Sequence, residues 1–376
     1  LNKKDSKPTM KDDDLRTYQL EAIQEWGKNN FKGIFDMATG AGKTYTAIGA
    51  LAHLYEHTNG KAAVIIVVPF QHLVDQWVED LEKYNIHPVI GYSSSKNKGY
   101  RKKLRESIFD YNLGVKKFIC FICTNATFAI NEVQNILGKI KENKTLVVDE
   151  AHNFGAKSLL KTLLPSYKYR LALSATLDRY GDQDGTEKLH VFFGKKCIEY
   201  PLSLAISQQN LTEYYYRPHV VYLTANELEE YKDLSIEIKK YIKFDKDGKI
   251  HLSEGAKLLA IKRSRIIAGA INKVELLKEL IEPYKNKNSI LVYCGATKLL
   301  LEDIEDPDIN VDIRQIEYIT KVLGQDLGMN VARFTSEEDA IQRKGLIEEF
   351  KRADHLQALI AIKCLDEGVN IPSIKT

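Results

Sequence analysis

The chain has 376 residues, of which 44% are apolar and 28% are charged, as is ordinary for a globular protein of roughly two or three domains. Its 54 basic and 51 acidic residues leave a net charge of +3, which excludes a polybasic protein but allows a local basic groove. No apolar run reaches the roughly 18 residues of a membrane span, and the charged N-terminal segment lacks the apolar core of a signal peptide. With five cysteines, an odd number, these features predict a cytoplasmic protein with free thiols and no membrane partner.

Short runs rich in Val and Ile alternate with helical patterns over the first 200 residues. Parallel strands that are buried on both faces are near-continuous apolar runs, and helices of about 10–15 residues connect them. The pattern therefore predicts an α/β fold with a parallel sheet. The predicted strands are 33–37, 62–69, 117–123, 145–150 and 169–176, and the predicted helices are 43–55, 71–83 and 99–109.

A second α/β unit is predicted from about Pro201 onward. A strand is expected before Thr224, which is a favoured N-cap residue for the helix that follows. A long helical stretch, 258–284, is expected to break near Gly269, and the acidic segment 301–312 is expected to be solvated. These features predict domains 1–205 and 206–376, with a linker between Pro201 and Pro218 and strands at 289–294, 330–334 and 358–364.

The segment ATGAGKT lies between a predicted strand and a predicted helix, which is the context of a phosphate-binding loop. Gly40 and Gly42 would let backbone N–H groups close around phosphate oxygens, aided by the helix dipole. Lys43 would place a charge on the β and γ phosphates, and the Thr44 hydroxyl would bind Mg²⁺. Met37 stands where the general GxxxxGK[ST] pattern has glycine, so the prediction depends on the strand–loop–helix context.

Two carboxylates end the strand TLVV, and a histidine follows them. Asp149 is placed to hold Mg²⁺, and Glu150 is placed to orient an attacking water as general base. The alternative is a pair of solvated carboxylates at a strand end. A phosphate-binding loop earlier in the chain favours the catalytic interpretation.

Nine segments, in order, resemble the motifs of the superfamily 2 helicases and translocases of the DEAH-box kind. They are RTYQ (16–19, Q motif), ATGAGKT (38–44, motif I), VVPFQHLVDQW (67–77, motif Ia), CTNATF (123–128, motif Ib), DEAH (149–152, motif II), SAT (174–176, motif III), LVYCGAT (291–297, motif IV), FTSEEDAIQRKGLIEEFK (334–351, the stretch before motif V) and CLDEGVNIPS (364–373, motif V). The resemblance implies an α/β fold of two RecA-like P-loop NTPase domains with parallel sheets and a helical excursion between motifs III and IV. It also implies ATP and Mg²⁺ as cofactors.

The resemblance carries roles onto particular residues. The implied ATP-binding residues are Arg16, Gln19, Thr39, Gly40, Ala41, Gly42, Lys43, Thr44 and Gly368. Catalytic roles are implied for Lys43, Asp149, Glu150 and His152, with Thr44 and Asp149 as metal ligands. Gln19 would read the adenine edge, and His152 would link the nucleotide site to the second domain.

Further residues are implied to act on the nucleic acid. Ser174 and Thr176 would couple hydrolysis to movement. Pro69, Phe70, Gln71 and Thr124 would lie along the nucleic-acid backbone, where contacts position a strand without reading its sequence. Residues 96–117 hold eight basic side chains against two acidic ones, and an additional phosphate contact and a solvated helix face explain them equally well.

The combination of RTYQ, ATGAGKT, DEAH and EGVNIPS is most similar to DNA-directed members, such as restriction-enzyme motor subunits, repair helicases and phage-defence helicases. DNA is therefore the expected partner, together with additional subunits or nuclease domains of a larger assembly. The alternatives are an RNA helicase and a nucleotide-gated binding module with a degenerate motor. Both ends resemble cuts, and motif VI with its arginine finger is expected beyond the last residue, so this piece is expected to bind ATP but hydrolyse it poorly.

Overall fold

The computed structural model describes residues 6–92, 99–179, 181–244, 250–295, 297, 314–335, 338 and 340–362. The chain divides into two compact units, Leu1–Tyr215 and Tyr216–Thr376. The boundary that the sequence predicts, 205/206, falls inside a short helix, Leu202–Ser207, which belongs to the first unit. In the described part of the chain, no helix is both long enough and apolar enough to span a bilayer.

Strands and helices alternate along the first unit. In chain order its elements are α1 (Thr17–Lys28), β1 (Lys32–Met37), α2 (Lys43–His57), β2 (Ala62–Val68), α3 (Gln71–Lys83), β3 (Val89–Gly91), α4 (Tyr100–Asn112), β4 (Phe118–Thr124), α5 (Asn125–Phe128), α6 (Asn131–Leu137), β5 (Lys144–Val148), α7 (Lys157–Leu160), β6 (Tyr169–Ser174), α8 (Gln183–Phe193), β7 (Lys196–Tyr200) and α9 (Leu202–Ser207).

These seven strands form one sheet in the order β3-β4-β2-β5-β6-β1-β7, and every pair is parallel. Strands β2, β4 and β5 are buried along their whole length, which confirms the α/β prediction. Cys120 and Cys123 of β4 pack into the two different cores on opposite faces of the sheet. Because parallel strands end at the same edge, the loops after β4, β2, β5, β6 and β1 lie side by side.

The sequence missed β3 and β7, and it placed the ends of β2, β5 and β6 one or two residues too far along the chain. β3 has only three residues, and most of β7 is only partly buried, so neither has the apolar run of a central strand. β5 ends at Val148 and β6 ends at Ser174. Asp149 and Thr176 therefore lie just beyond their strands, at the loop edge of the sheet.

The second unit has a smaller sheet and a helical region before it. Its elements are α10 (Ala225–Lys240), β8 (Ile242–Phe244), β9 (Ile250–Leu252), α11 (Glu254–Ala268), α12 (Asn272–Ile281), β10 (Ile290–Tyr293), α13 (Gln315–Lys321), β11 (Val331–Phe334), α14 (Ala340–Arg352) and β12 (Ala358–Ala361). β10, β12 and β11 are parallel in that order, and β8 pairs with β9 as an antiparallel hairpin. The segment 301–312 lies outside the described residues.

A buried carboxylate joins two helices of the second unit. The Thr224 hydroxyl accepts a hydrogen bond from the Glu227 backbone N–H, which confirms the predicted N-cap of α10. The Glu227 carboxylate accepts from Thr224 N and from Ile271 N, both at 2.9 Å, and so ties the start of α10 to the start of α12. The strand predicted before Thr224 is wrong, because residues 212–223 have no regular structure and Val220 there is exposed.

Candidate active site

The loop between β1 and α2 adopts a backbone that depends on glycine. Gly40 and Gly42 have φ angles of +83° and +78°, in the left-handed region that other residues enter at a cost. Gly42 is the N-cap of α2, so the unpaired N–H groups of the first helical turn follow it directly. Thr39 and Gly40 are exposed, whereas Ala41 is buried. This is the backbone that an anion-binding loop requires.

Helix α1 holds this loop in place. The Tyr18 hydroxyl donates to the Ala41 carbonyl at 2.9 Å, and the Gln19 amide N–H donates to the Gly42 carbonyl at 3.3 Å. The Gln19 amide oxygen accepts from Arg16 N at 2.9 Å, and the Arg16 guanidinium donates to the Tyr18 hydroxyl at 3.3 Å. The Gln19 amide keeps a second N–H and a second lone pair, which are the groups that would contact adenine. Adenine recognition by Gln19 stays a prediction.

Strand β7 supports the same loop through an aromatic stack that the sequence did not indicate. The rings of Tyr18 and Tyr200 are parallel within 6°, with centroids 4.1 Å apart. The Tyr200 carbonyl accepts from Ala38 N at 2.9 Å. Tyr200 lies in no recognisable sequence motif, so its packing behind the phosphate loop can be seen only in the structure.

The ion pair between Lys43 and Glu150 unites the loop and the acidic strand end. The Lys43 ammonium lies 3.9 Å from a Glu150 carboxylate oxygen, and both side chains are mostly buried. The ammonium also donates to the Met37 carbonyl at 3.2 Å, which directs it across the loop. β1 and β5 are separated by β6 alone, so the parallel topology brings motifs I and II together.

Both carboxylate oxygens of Asp149 accept hydrogen bonds. Trp77 of α3 donates its indole N–H to Oδ2, and the backbone N–H of Glu150 donates to Oδ1, each at 2.9 Å. Asp149 is only 7% exposed, and burial raises the pKa of its carboxyl, while the Trp77 hydrogen bond opposes that rise. The sequence predicted Asp149 but not its partner Trp77.

The residues Thr44 and Asp149 fit Mg²⁺. The neighbouring Thr46 hydroxyl donates to the Gly42 carbonyl at 3.0 Å, whereas no described residue hydrogen-bonds to the Thr44 hydroxyl. A threonine hydroxyl and a buried carboxylate are oxygen ligands of the type that Mg²⁺ prefers beside a phosphate. Each Asp149 oxygen keeps a lone pair beyond the bond that it already accepts.

Glu150 lies between the loop lysine and a histidine. It adopts a left-handed backbone, with φ +45°, and its second carboxylate oxygen is 3.5 Å from His152 Nδ1. The same nitrogen is 3.5 Å from the Ser174 hydroxyl. Burial lowers the pKa of His152, and the nearby charges of Arg179 and Lys43 lower it further, which favours the neutral imidazole.

The loop after β6 is hydrogen-bonded internally and to the loop after β5. The Ser174 hydroxyl donates to the Thr176 carbonyl at 2.8 Å and accepts from Thr176 N at 3.2 Å. Arg179 donates to the His152 carbonyl and, at 2.7 Å, to Asp182. Motifs II and III are therefore connected through Arg179, which the sequence did not single out.

The residues expected to contact nucleic acid follow the neighbouring strands β2 and β4. Phe70 is 45% exposed and precedes α3, and Gln71 is also exposed, while Pro69 is half-buried. Thr124 is buried, and its hydroxyl accepts from Thr127 N at 3.3 Å as the cap of α5. A contact with nucleic acid at these positions stays a prediction.

Gly368, the remaining residue expected to bind ATP, lies outside the described residues. In the basic segment, Arg101 and Arg105 of α4 pair with Glu132 of α6 at 3.1 and 2.5 Å. This pairing favours the solvated-face interpretation for these two arginines.

Two family descriptions match the chain. "Type III restriction enzyme, res subunit" matches residues 12–179, and "Helicase conserved C-terminal domain" matches residues 272–376. The first match contains motifs I, II and III, together with every residue of the site described above except Tyr200 and Asp182. The second lies within the second unit.

Curated relatives agree with these families. The chain is 25% identical to "DNA 3'-5' translocase XPB2" of Sulfurisphaera tokodaii, over 97% of this chain and 74% of that protein. It is 28% identical to "Transcription regulatory protein SNF2" of Saccharomyces cerevisiae, over 43% of this chain but only 9% of that protein.

Two solved structures share the fold. The Hef helicase domain of Pyrococcus furiosus matches with a TM-score of 0.52 and 16% identity, over 96% of this chain and 88% of that chain. The restriction-modification enzyme LlaBIII bound to DNA matches with a TM-score of 0.61 and 16% identity, over 98% of this chain and 25% of that chain.

Proposed function

We propose that the chain, which resembles the superfamily 2 helicases and translocases, is an ATP-dependent motor that moves on DNA. The observation that carries the proposal is the 3.9 Å approach of Lys43 to Glu150, which brings the phosphate loop and the acidic motif into one site. DNA is favoured over RNA because the relatives whose names mention a nucleic acid mention DNA. Work in restriction, phage defence or repair would suit such a motor.

The phosphate loop would bind the triphosphate of ATP. Gly40 and Gly42 have left-handed backbones directly before α2, where the positive end of the helix dipole and the unpaired N–H groups of the first turn would attract phosphate oxygens. Lys43 would exchange its contact with Glu150 for the β and γ phosphates. Arg16 and Gln19, which already brace the loop, would flank the base.

The acidic motif would bind the metal and orient water. Asp149 and Thr44 would hold Mg²⁺, which when bound neutralises charge on the phosphates. Glu150 would accept a proton from the attacking water as general base. His152, kept neutral by its surroundings, can use Nδ1 to hydrogen-bond either Glu150 or Ser174, and a change of partner would relate the state of the acidic motif to the loop after β6.

The setting that we propose is cytoplasmic, as part of a larger assembly. Four described cysteines, Cys120, Cys123, Cys197 and Cys294, are free thiols, as expected in a reducing compartment. Additional subunits or nuclease domains would supply the reaction that a motor alone lacks. This part of the proposal depends on the resemblance to DNA-directed motors.

The proposed function is tested by steady-state ATP hydrolysis by the full-length protein, measured alone and then with duplex DNA, single-stranded DNA or RNA added. We expect DNA to stimulate hydrolysis strongly and RNA to have little effect. Glu150→Gln, which keeps the size of the side chain but removes the base, should bind ATP and lose turnover by about 100-fold or more. Stimulation by RNA but not DNA would refute the DNA assignment, and ATP binding without hydrolysis would favour a nucleotide-gated binding module.

A further inference from the structure

The indole N–H of Trp77 makes a contact that the motifs do not account for. Trp77 is 2% exposed, and its N–H donates to Oδ2 of Asp149 at 2.9 Å. A buried tryptophan normally finds a partner for this group, and most often any acceptor will serve. Here the acceptor is the carboxylate of the acidic motif, 72 positions away in sequence. The two residues are therefore brought into contact only when the chain folds.

This hydrogen bond fixes the orientation of the carboxylate. Oδ1 is held by the backbone N–H of Glu150, and Oδ2 is held by Trp77, so rotation about the last bond of Asp149 would break both contacts. An indole N–H can only donate, and a donor to a carboxylate makes a stronger bond than a donor to a neutral oxygen. The remaining lone pairs are directed away from both donors.

The donor lies on a rigid element. Leu73, Val74, Trp77 and Leu81 form the buried face of α3, which packs against the core beneath the loop edge. Groups that orient a metal ligand work best when their own positions are locked by packing. A tryptophan packed in this way holds its N–H at one point.

We infer that Trp77 is a positioning residue that holds Asp149 in the orientation required for Mg²⁺. The inference rests on the proposed function, because it assumes that Asp149 binds the metal of a bound nucleotide. Trp77 itself touches neither nucleotide nor metal in this scheme. Its effect is on the Mg²⁺ requirement of the site.

The chain contains a matched control. It has two tryptophans, and the other, Trp26, is fully buried and donates its N–H to the Arg170 carbonyl, also at 2.9 Å. Trp26→Phe and Trp77→Phe thus remove the same group from equally buried positions. Only Trp77→Phe frees a carboxylate oxygen of Asp149.

The test measures binding of a fluorescent ATP analogue while Mg²⁺ is varied. We expect Trp77→Phe to raise the Mg²⁺ concentration at half-saturation by about 10-fold, as for the loss of other groups that orient metal ligands. Trp26→Phe should match the wild type. An unchanged Mg²⁺ requirement in a folded Trp77→Phe protein would overturn the inference, whereas a wild type that binds no nucleotide would refute the proposed function instead.

A second measurement, of tryptophan fluorescence, keeps the hydrogen bond between Trp77 and Asp149 and so does not depend on whether Trp77→Phe folds. In Trp26→Phe, Trp77 is the single tryptophan, so its emission reports on its Asp149 partner. We expect Mg²⁺ with ATP to change this emission, and ATP with EDTA to change it much less. Identical emission in both conditions, with nucleotide bound, would overturn the inference.

Discussion

At the scale of the residue, the backbone angle and the surroundings of Gly42 leave no room for a side chain in the phosphate loop. Its φ angle of +78° places it in the left-handed region, and a Cβ there would lie 2.8 Å from the Gln19 amide nitrogen. The same amide donates to the Gly42 carbonyl. Any side chain at this position would therefore strain the backbone and displace the residue that braces the loop.

Gly42→Ala should abolish most nucleotide binding, and Gly114→Ala is its control. Gly114 has nearly the same φ angle, +77°, but a Cβ at that position would meet no atom within 4 Å. Both changes should lower the free energy of unfolding by about 1–2 kcal/mol, because both place alanine in the left-handed region. Equilibrium binding of ATP separates the two variants, and equal affinities would contradict the role given to the loop.

The sequence predicts the candidate side chains of the site but not the residues that hold them in place. Lys43, Asp149 and Glu150 have the spacing of known motifs, so they could be named without a fold. Trp77 and Tyr200 act through contacts with residues that are far away in sequence. Burial of a tryptophan or a stacked tyrosine has no local pattern, so these partners could be found only in the structure.

At the scale of the element, strand β5 has the acidic pair just beyond one end and a buried lysine at the other. Asp149 follows its last residue at the loop edge. Its first residue, Lys144, is only 3% exposed, and its ammonium lies 4.3 Å from the centre of the Tyr167 ring. Burial lowers the pKa of Lys144 to about 8, because the charged form loses hydration that one ring replaces only in part.

Lys144→Met should stabilise the first unit most below about pH 8. The unfolded lysine titrates near 10.4, so between the two pKa values the unfolded chain binds more protons and wild-type stability rises with pH. The gain from methionine should be about 1–3 kcal/mol at pH 7 and should shrink toward pH 10. Urea unfolding across this pH range measures it. Lys168→Met, an exposed lysine over the Tyr169 ring, should show no such pH-dependent gain.

Elements were easier to predict in the middle of the sheet than at its margins. The wholly buried β2, β4 and β5 have continuous apolar runs, which indicate strands by themselves. β3 and β7 form at the edges because a neighbour offers backbone partners, and their own residues are only partly apolar. The exposed segment around Val220 has strand-like residues but pairs with none of the described strands, so it has no regular structure.

At the scale of the whole molecule, the two family matches fall in different units. Residues 12–179 lie in the first unit, and 272–376 lie in the second. The helical region α10–α12 lies largely between the two matched ranges, which agrees with the predicted excursion between motifs III and IV. Gly368, which the resemblance places among the ATP-binding residues, lies outside the described residues.

Movement along DNA driven by ATP hydrolysis can be measured as displacement of the third strand from a DNA triplex. The wild type should displace that strand only with ATP and Mg²⁺, and Glu150→Gln should bind the same DNA without displacing it. A forked duplex in parallel detects strand separation. If the wild type hydrolyses ATP on this DNA yet releases no strand from either substrate, hydrolysis does not drive movement and the DNA-motor proposal is wrong.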